Sequence, residues 1–325
     1  TDPGPLQPAA AASPDLSGNG PGPARAAAVL HLLRAQLGAA VYQRGLQRFM
    51  RAHAGGAACT AAFQQALEAE AGQPLDAFFT RWVRGSGHPV LAVHSRWDAA
   101  AGRLHLQLRQ VQDGPPFAGT LQLDLGGSLH SVQLAPQAET RLDIALPQPP
   151  RWVELDPDGD WPLVLQQAQP LDALLDQLRH TRHAVARQRA GQQLAALWKG
   201  DKLGPADRAR AIAALRDVAG TPGRWWRERF IVLNLLRSLL APARPADAVP
   251  LDAALQRTLL ATVQDDNAWL RATALRLLGD SRDPAHAPLY LAHLADPSDR
   301  VISAAAIGLG RSGDARAFSA LAALP

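Results

Sequence analysis

Apolar residues recur along this chain in alternating rhythms. From Ala26 they fall three or four apart: Leu30, Leu33 and Leu37, then Tyr42, Leu46 and Phe49, then Phe63 and Leu67, then Leu75, Phe79 and Trp82. That spacing puts each set on one helical face and predicts four short amphipathic helices. Gly38, the pair Gly55-Gly56 and Gly72 mark the turns, and Thr60 is the expected N-cap of the third helix. At Gly87-His88-Pro89 the period drops to two. Leu104, Leu106 and Leu108 alternate with Arg103, His105, Gln107 and Arg109, and the pattern recurs at Leu121, Leu123 and Leu125 and at Leu142, Ile144 and Leu146. Alternation of this kind predicts half-buried strands. About seven fit between Val90 and Leu165, separated by Gly, Pro and Asp turns with no helical crossover. A small Ig-like β-sandwich is therefore expected over 88–168, rather than a parallel sheet.

After Pro170 the helical period returns and runs to the end, broken at Gly200, Gly204, Gly220 to Gly223, Pro242 to Pro250 and Asp283-Pro284. Two stretches match at a shift of 31 residues: Leu270, Leu278, Gly279, Ser281 and Asp283 correspond to Val301, Leu309, Gly310, Ser312 and Asp314. A fixed period of this length is the mark of stacked helical units. Leu278-Gly279 and Leu309-Gly310 would each close a helix, giving a HEAT-type α-solenoid over 169–325. Arg182 to Leu197 reads as a degenerate copy, with Val185, Arg187, Ala190 and Leu194 in similar places.

The opening is different. Six prolines and four glycines within the first 23 residues exclude a helix or a central strand, so residues 1–25 are expected to be a disordered linker. The 47% apolar fraction supplies several cores in 325 residues, but only 5% is aromatic, leaving Leu, Ala and Val to do most of the packing. No run of about 18 apolar residues occurs and no signal peptide opens the chain, so no membrane partner is expected; the compartment, cytoplasmic or periplasmic, is left open. Cys59 is the single cysteine, which excludes an internal disulfide and a multi-cysteine zinc cluster, and a small buried thiol is expected. Lys199 and Lys202 are the only lysines, and the basic excess, 21 against 15 acidic residues, lies after Pro170. Nucleic acid is not expected as a partner on this basis.

A dense run then carries a resemblance. Thr60, Phe63, Ala66-Leu67-Glu68, Gly72, Leu75-Asp76, Phe78-Phe79, Trp82 and Gly87-His88-Pro89-Val90-Leu91, preceded by Val29 to Arg34, Tyr42, Gly45-Leu46 and Arg51, resemble the last catalytic-domain helices of aminopeptidase N-like zinc peptidases. Val153 to Gly159 looks like the closing strand and turn of that family's sandwich. The resemblance implies a multidomain α and β chain: a helical remnant of a thermolysin-like catalytic domain over 26–87, then the sandwich, then the helical array. Thr60, Phe63, Phe79, Trp82, Gly87 and Pro89 would hold structural places in it. Packing accounts for these residues independently, because Phe78, Phe79 and Trp82 can share one helix face and Pro89 bars His88 from helical geometry.

The family's zinc is held by two histidines of a His-Glu-x-x-His helix and a further Glu, with the motif's Glu acting as general base. No His-Glu pair occurs in this sequence. The resemblance thus implies zinc in a full-length family member, none bound by this chain, an upstream catalytic domain as partner and peptides as substrate. A family tyrosine that steadies the tetrahedral intermediate would fall near Gly22-Pro23-Ala24-Arg25, where no tyrosine stands. Other groupings are weaker. His180 and His183 have no third metal ligand, Asp156, Asp158 and Asp160 lack the glycine and distal Glu of a calcium loop, and Arg208 and Arg210 fit a solvated face. Arg224, Arg227 and Arg229 beside Trp225 and Trp226 are candidates for holding an anion or peptide carboxylate, against a plainer reading as an amphipathic helix that buries its tryptophans. Two functions compete: the architectural back portion of an aminopeptidase that removes N-terminal residues, or a non-catalytic HEAT-type interaction scaffold.

Overall fold

The computed structural model describes residue 6, residues 21–241 and residues 251–323. The linker expected over the rest of residues 1–20, and the break expected at Pro242 to Pro250, lie outside the described residues. Contacts divide the chain into two compact units, Thr1–Ala168 and Gln169–Pro325.

The first unit opens with α1 (Pro21–Leu37), α2 (Ala39–Ala52), α3 (Thr60–Ala71) and α4 (Asp76–Phe78), the last continuing as wide π-type turns over Phe79–Arg84. Helix α1 begins earlier than the linker boundary allows. Pro21 and Pro23 are tolerated there because first-turn amides have no intrahelical acceptor to lose. Thr60 is not a cap: Cys59 occupies the N-cap position with no side-chain hydrogen bond, and its thiol is exposed rather than buried. The turns at Gly38, Gly55 and Gly72 stand where the spacing put them, each with positive φ.

Seven strands follow: β1 (Val90–Asp98), β2 (Arg103–Gln110), β3 (Gly119–Leu125), β4 (Ser128–Leu134), β5 (Glu139–Ala145), β6 (Val153–Leu155) and β7 (Val164–Gln167). They form two sheets, ordered β5-β2-β1-β7 and β4-β3-β6. Every pairing is antiparallel except β1 with β7, which run parallel from Val90↔Val164 to Val93↔Gln167. A long return from β5 through β6 permits that one parallel contact without a helix. Leu104, Leu106 and Leu108 of β2 and Leu121 and Leu123 of β3 are buried. They belong to the same core as Val29, Leu32, Leu67, Phe79 and Trp82, so helices and sheets share one interior.

Among the described residues the elements of the second unit are all helices: α5 (Leu171–His180), α6 (Ala184–Lys199), α7 (Pro205–Ala219), α8 (Trp226–Leu240), α9 (Ala253–Thr262), α10 (Ala268–Asp280), α11 (Ala287–His293), α12 (Asp299–Ser312) and α13 (Ala317–Ala322). Leu270 and Leu278 of α10 and Val301 and Leu309 of α12 are all buried, the positions that the 31-residue shift superposes. Charged joints tie successive helices. Arg229 of α8 meets Asp265 at 2.6 Å, Arg271 of α10 grips Asp296 at 3.0 and 2.8 Å, and Asp280 receives both Arg237 at 2.6 Å and Arg311. Asp265 and Asp296 are again one repeat apart. The paired bonds from Arg271 hold the Asp296 carboxyl below the usual carboxylate range.

The repeat shift aligns Gly279 with Gly310, yet the close approach is elsewhere. A Cβ on Gly279 would lie 3.0 Å from the Cα of Gly308, and one on Gly308 would lie 2.5 Å from the Tyr290 ring, while Gly310 faces open space. Neighbouring helices touch at staggered heights, so equivalent residues need not meet. Tyr290 is 1% exposed and has nowhere to go. Gly308→Ala is therefore expected to lower stability by about 1–3 kcal/mol by overpacking, read as a fall in the urea midpoint, whereas Gly310→Ala should be neutral or stabilising.

Candidate functional site

The densest arrangement lies where the front helices pass into the sheets. Phe78, Phe79 and Trp82 are all buried, and their rings chain together: Phe78 to Phe79 at 6.0 Å, Phe78 to Trp82 at 6.3 Å, Phe63 to Phe79 at 6.3 Å. Trp82 then meets Phe117 at 4.7 Å and Trp161 at 5.5 Å, and Arg81 lies 3.5 Å over the Phe117 ring. Below this, Glu68 accepts from the Leu75 amide at 2.7 Å and from Gln64 at 2.9 Å, closing the turn between α3 and α4.

The sequence gives little warning of Arg25. It is 9% exposed, and its Nη2 donates to the carbonyl oxygens of Trp82, Gly85 and Gly87 at 3.3, 3.0 and 3.4 Å. Carbonyls at a helix end lack intrahelical donors, and a guanidinium supplies them with charge-assisted bonds. Gly87 itself holds φ +77, a left-handed conformation costly for a side-chain-bearing residue, and Pro89 accepts from Val164 at 2.9 Å to start the β1–β7 pairing. Thr60 and Phe63 line an apolar cavity of about 520 Å³ with Tyr42, Phe49 and Phe79. A second cavity of about 730 Å³, lined by Gln36, Phe78, Arg81, Asp160 and Trp161, is more polar. The structure thus brings Phe63, Phe79 and Trp82 into one core and puts Gly87 and Pro89 at its exit, all in packing or backbone roles.

These residues do not fit a zinc site. Among the described residues no group of three or more His, Cys, Asp or Glu is placed to hold a metal ion. Four of the ten histidines are engaged elsewhere: His31 with Asp160 at 3.0 Å, His105 with Asp143, His293 with the Leu289 carbonyl at 2.9 Å, His286 with Gln256 at 3.2 Å. His180 and His183 do not share a helix face, because α5 ends at His180 and His183 caps α6. Asp156, at φ +50, accepts from the amides of Asp160 and Trp161, so the acidic stretch is a turn. Burial raises the phenol pKa of Tyr42 and Tyr290, and the Tyr290 hydroxyl has no hydrogen-bond partner among the described residues.

In the second unit, two of the three candidate anion-binding arginines are already occupied. Arg224 donates to the Arg179 carbonyl at 3.1 Å and approaches Glu228 at 3.7 Å; Arg229 donates to the Ala219 carbonyl at 2.8 Å and pairs with Asp265. Arg227 differs, lying over Trp225 and Trp226 at 6.0 and 5.7 Å. The helix does not bury both tryptophans: Trp225 is 53% exposed because it precedes the first turn of α8. Arg208 and Arg210 pair with Asp201 and Asp172 on an outer face. No described helix is long and apolar enough to cross a membrane.

Residues 256–324 match the HEAT repeat family. Aminopeptidase M1 of Arabidopsis thaliana is 32% identical over 96 residues, 29% of this chain and 10% of that protein. The Tricorn protease-interacting factor F2 of Thermoplasma volcanium is 29% identical over 70 residues, 22% of this chain and 9% of that protein. The fold is similar to Legionella pneumophila aminopeptidase A, solved in complex with aspartic acid, with a TM-score of 0.67 at 15% identity over 92% of this chain and 40% of that one. The matched region is thus less than half the length of each. The chain is similar in sequence to an aminopeptidase along part of its length and in fold to another along nearly all of it, and residues 256–324 are similar to HEAT repeats.

Proposed function

We propose that these residues form the back portion of a zinc aminopeptidase, supplying architecture and cavity cover while the metal is held by residues upstream. The likeness of fold over 92% of the chain to an aminopeptidase of which it spans 40% carries the reading. In that reading the front helices and their Trp82 anchor are the edge on which a catalytic domain completes its core. The helical array would restrict access so that only free peptide ends reach the zinc. The competing reading, a HEAT-type scaffold without catalysis, draws on the match over residues 256–324.

The test has two arms. Metal analysis of the 325-residue chain, with an aminoacyl-naphthylamide assay, is expected to give neither bound zinc nor turnover; stoichiometric zinc with hydrolysis would refute the placement of the metal upstream. Reading the coding sequence immediately before Thr1 separates the two functions. A His-Glu-x-x-His followed by a later Glu supports the peptidase, and an open frame with those positions altered supports the scaffold.

A further inference from the structure

The joints at Asp265 and Asp296 each pair one arginine with one aspartate, Arg229 with the first and Arg271 with the second. The joint at the end of α10 is unbalanced. There Asp280, its side chain 15% exposed, receives the Nε of Arg237 from α8 at 2.6 Å and an Nη of Arg311 from α12. One carboxylate thus faces two guanidinium groups, each bound to it through a single nitrogen. Their other N–H groups make no hydrogen bond among the described residues.

The repeat shows how the excess arises. Asp280 and Arg311 stand one 31-residue shift apart, so the second copy carries a guanidinium where the first carries a carboxylate. The same shift sets Arg282 against Gly313, and both hold left-handed backbone, at φ +57 and +72. Glycine takes that conformation without steric penalty, and a residue with a Cβ does not. The backbone there favours glycine, yet an arginine occupies it, and its exposed side chain makes no hydrogen bond or ion pair among the described residues. Arg282 lines a cavity of about 440 Å³ together with Arg237, Arg311, Asp280, Asn234 and Ser238. Three guanidinium groups against one carboxylate leave that lining at +2. Asp283, the next residue, caps the Ala285 amide at 2.9 Å, lies 3.6 Å from His286 and is not part of the lining.

We infer that this cavity is a binding site for a small phosphate monoester, with the phosphoryl group seated among Arg237, Arg282 and Arg311 and Ser238 adding a neutral donor beside them. Guanidinium forks match phosphoryl oxygens two at a time. The two excess charges match the roughly −1.5 to −2 of a phosphate ester at pH 7 better than the single charge of a carboxylate. Asp280 holds Arg237 and Arg311 in place beforehand, which lessens the entropy lost when a ligand orders them. The volume falls within the ~300–1,000 Å³ of small-ligand pockets. Positive charge is gathered at one point, not drawn out along a groove as a nucleic-acid strand requires. The inference is independent of the peptidase reading, since every residue in it belongs to the helical unit.

The experiment is calorimetric titration of the full chain with phenyl phosphate at pH 8, well above its second pKa of about 6. Phenyl sulfate keeps the tetrahedral shape with one charge fewer, succinate places its two charges on separate carboxylates, and an oligothymidylate offers a phosphate backbone. Phenyl phosphate is expected to bind tightest, about tenfold better than phenyl sulfate, and to weaken with salt. Arg282→Gly should lose about tenfold in that affinity while its urea midpoint equals or exceeds the parent's, because glycine suits φ +57. Arg282→Lys, which keeps the charge but not the planar fork, should retain only part of the affinity. Absence of phenyl phosphate binding, equal binding of phenyl sulfate, or tighter binding of succinate or the oligothymidylate each overturns the proposal. So does an undiminished affinity in Arg282→Gly, or a lost affinity accompanied by a lower urea midpoint, which would make Arg282 a structural residue.

Discussion

Glu228→Ala is expected to destabilise the helical unit by about 3–5 kcal/mol, far more than loss of any exposed ion pair. The Arg187 side chain is 4% exposed and Glu228, its partner from α8, is 12% exposed. Arg187 also donates to the Leu178 carbonyl at 3.0 Å and to the Thr181 carbonyl, so its guanidinium stitches the end of α5 to α6 and α8. Burial pulls the Arg187 pKa down, the Glu228 charge opposes that shift, and Arg224 adds to it. Deleting Glu228 leaves a buried cation facing a second one, with the desolvation cost of Arg187 no longer offset. Replacing both partners by apolar residues of similar volume, as in Arg187→Met with Glu228→Leu, should cost less than either single change. Urea unfolding followed by far-UV circular dichroism separates these cases; a loss under about 1 kcal/mol for Glu228→Ala would show the pair to be solvent-screened.

The rhythm of apolar residues carried the helix and strand order well because it reports burial, and burial decides which face an element packs. Leu104, Leu106 and Leu108 announced β2, and the 31-residue shift from Leu270 to Val301 announced the stacked helices. Features set by single polar groups were less legible. Thr60 has the chemistry of a cap, but the helix starts one residue earlier than that role needs. Cys59 has the composition of a core residue and stands at a loop end. Pro21 reads as a helix breaker until its first-turn position is known. Arg25 lies 57 residues from the Trp82 carbonyl that it binds, and no local pattern encodes a pairing at that range. The aromatic cluster at the start of α8 was half visible: Trp225 and Trp226 stand together in sequence, but Trp269 of α10 comes within 6.5 Å of Trp226 only in the folded helical unit.

Trp82→Ala is expected to cost about 3–5 kcal/mol and to loosen the passage from helices to sheets. The indole is 3% exposed and touches rings from three segments: Phe78 before it, Phe117 ahead of β3 and Trp161 after β6. Those partners cannot readily close the gap. Trp161 is fixed by its Nε1 bond to the Thr120 carbonyl at 3.1 Å and packs so near Gly119 that a Cβ there would lie 2.8 Å from its ring. Arg81, stacked on Phe117, also donates to the Pro115 carbonyl at 2.9 Å, which holds that ring in place. A cavity whose walls are pinned relaxes least, so the cost belongs near the upper end of the range. Trp82→Phe retains one ring and should recover more than half of the loss. Near-UV circular dichroism reads the anchor directly, since packed indoles dominate that signal, and a Trp82→Ala protein with parental near-UV ellipticity and an unchanged urea midpoint would mean that Trp82 fills space rather than joins the helices to the sheets.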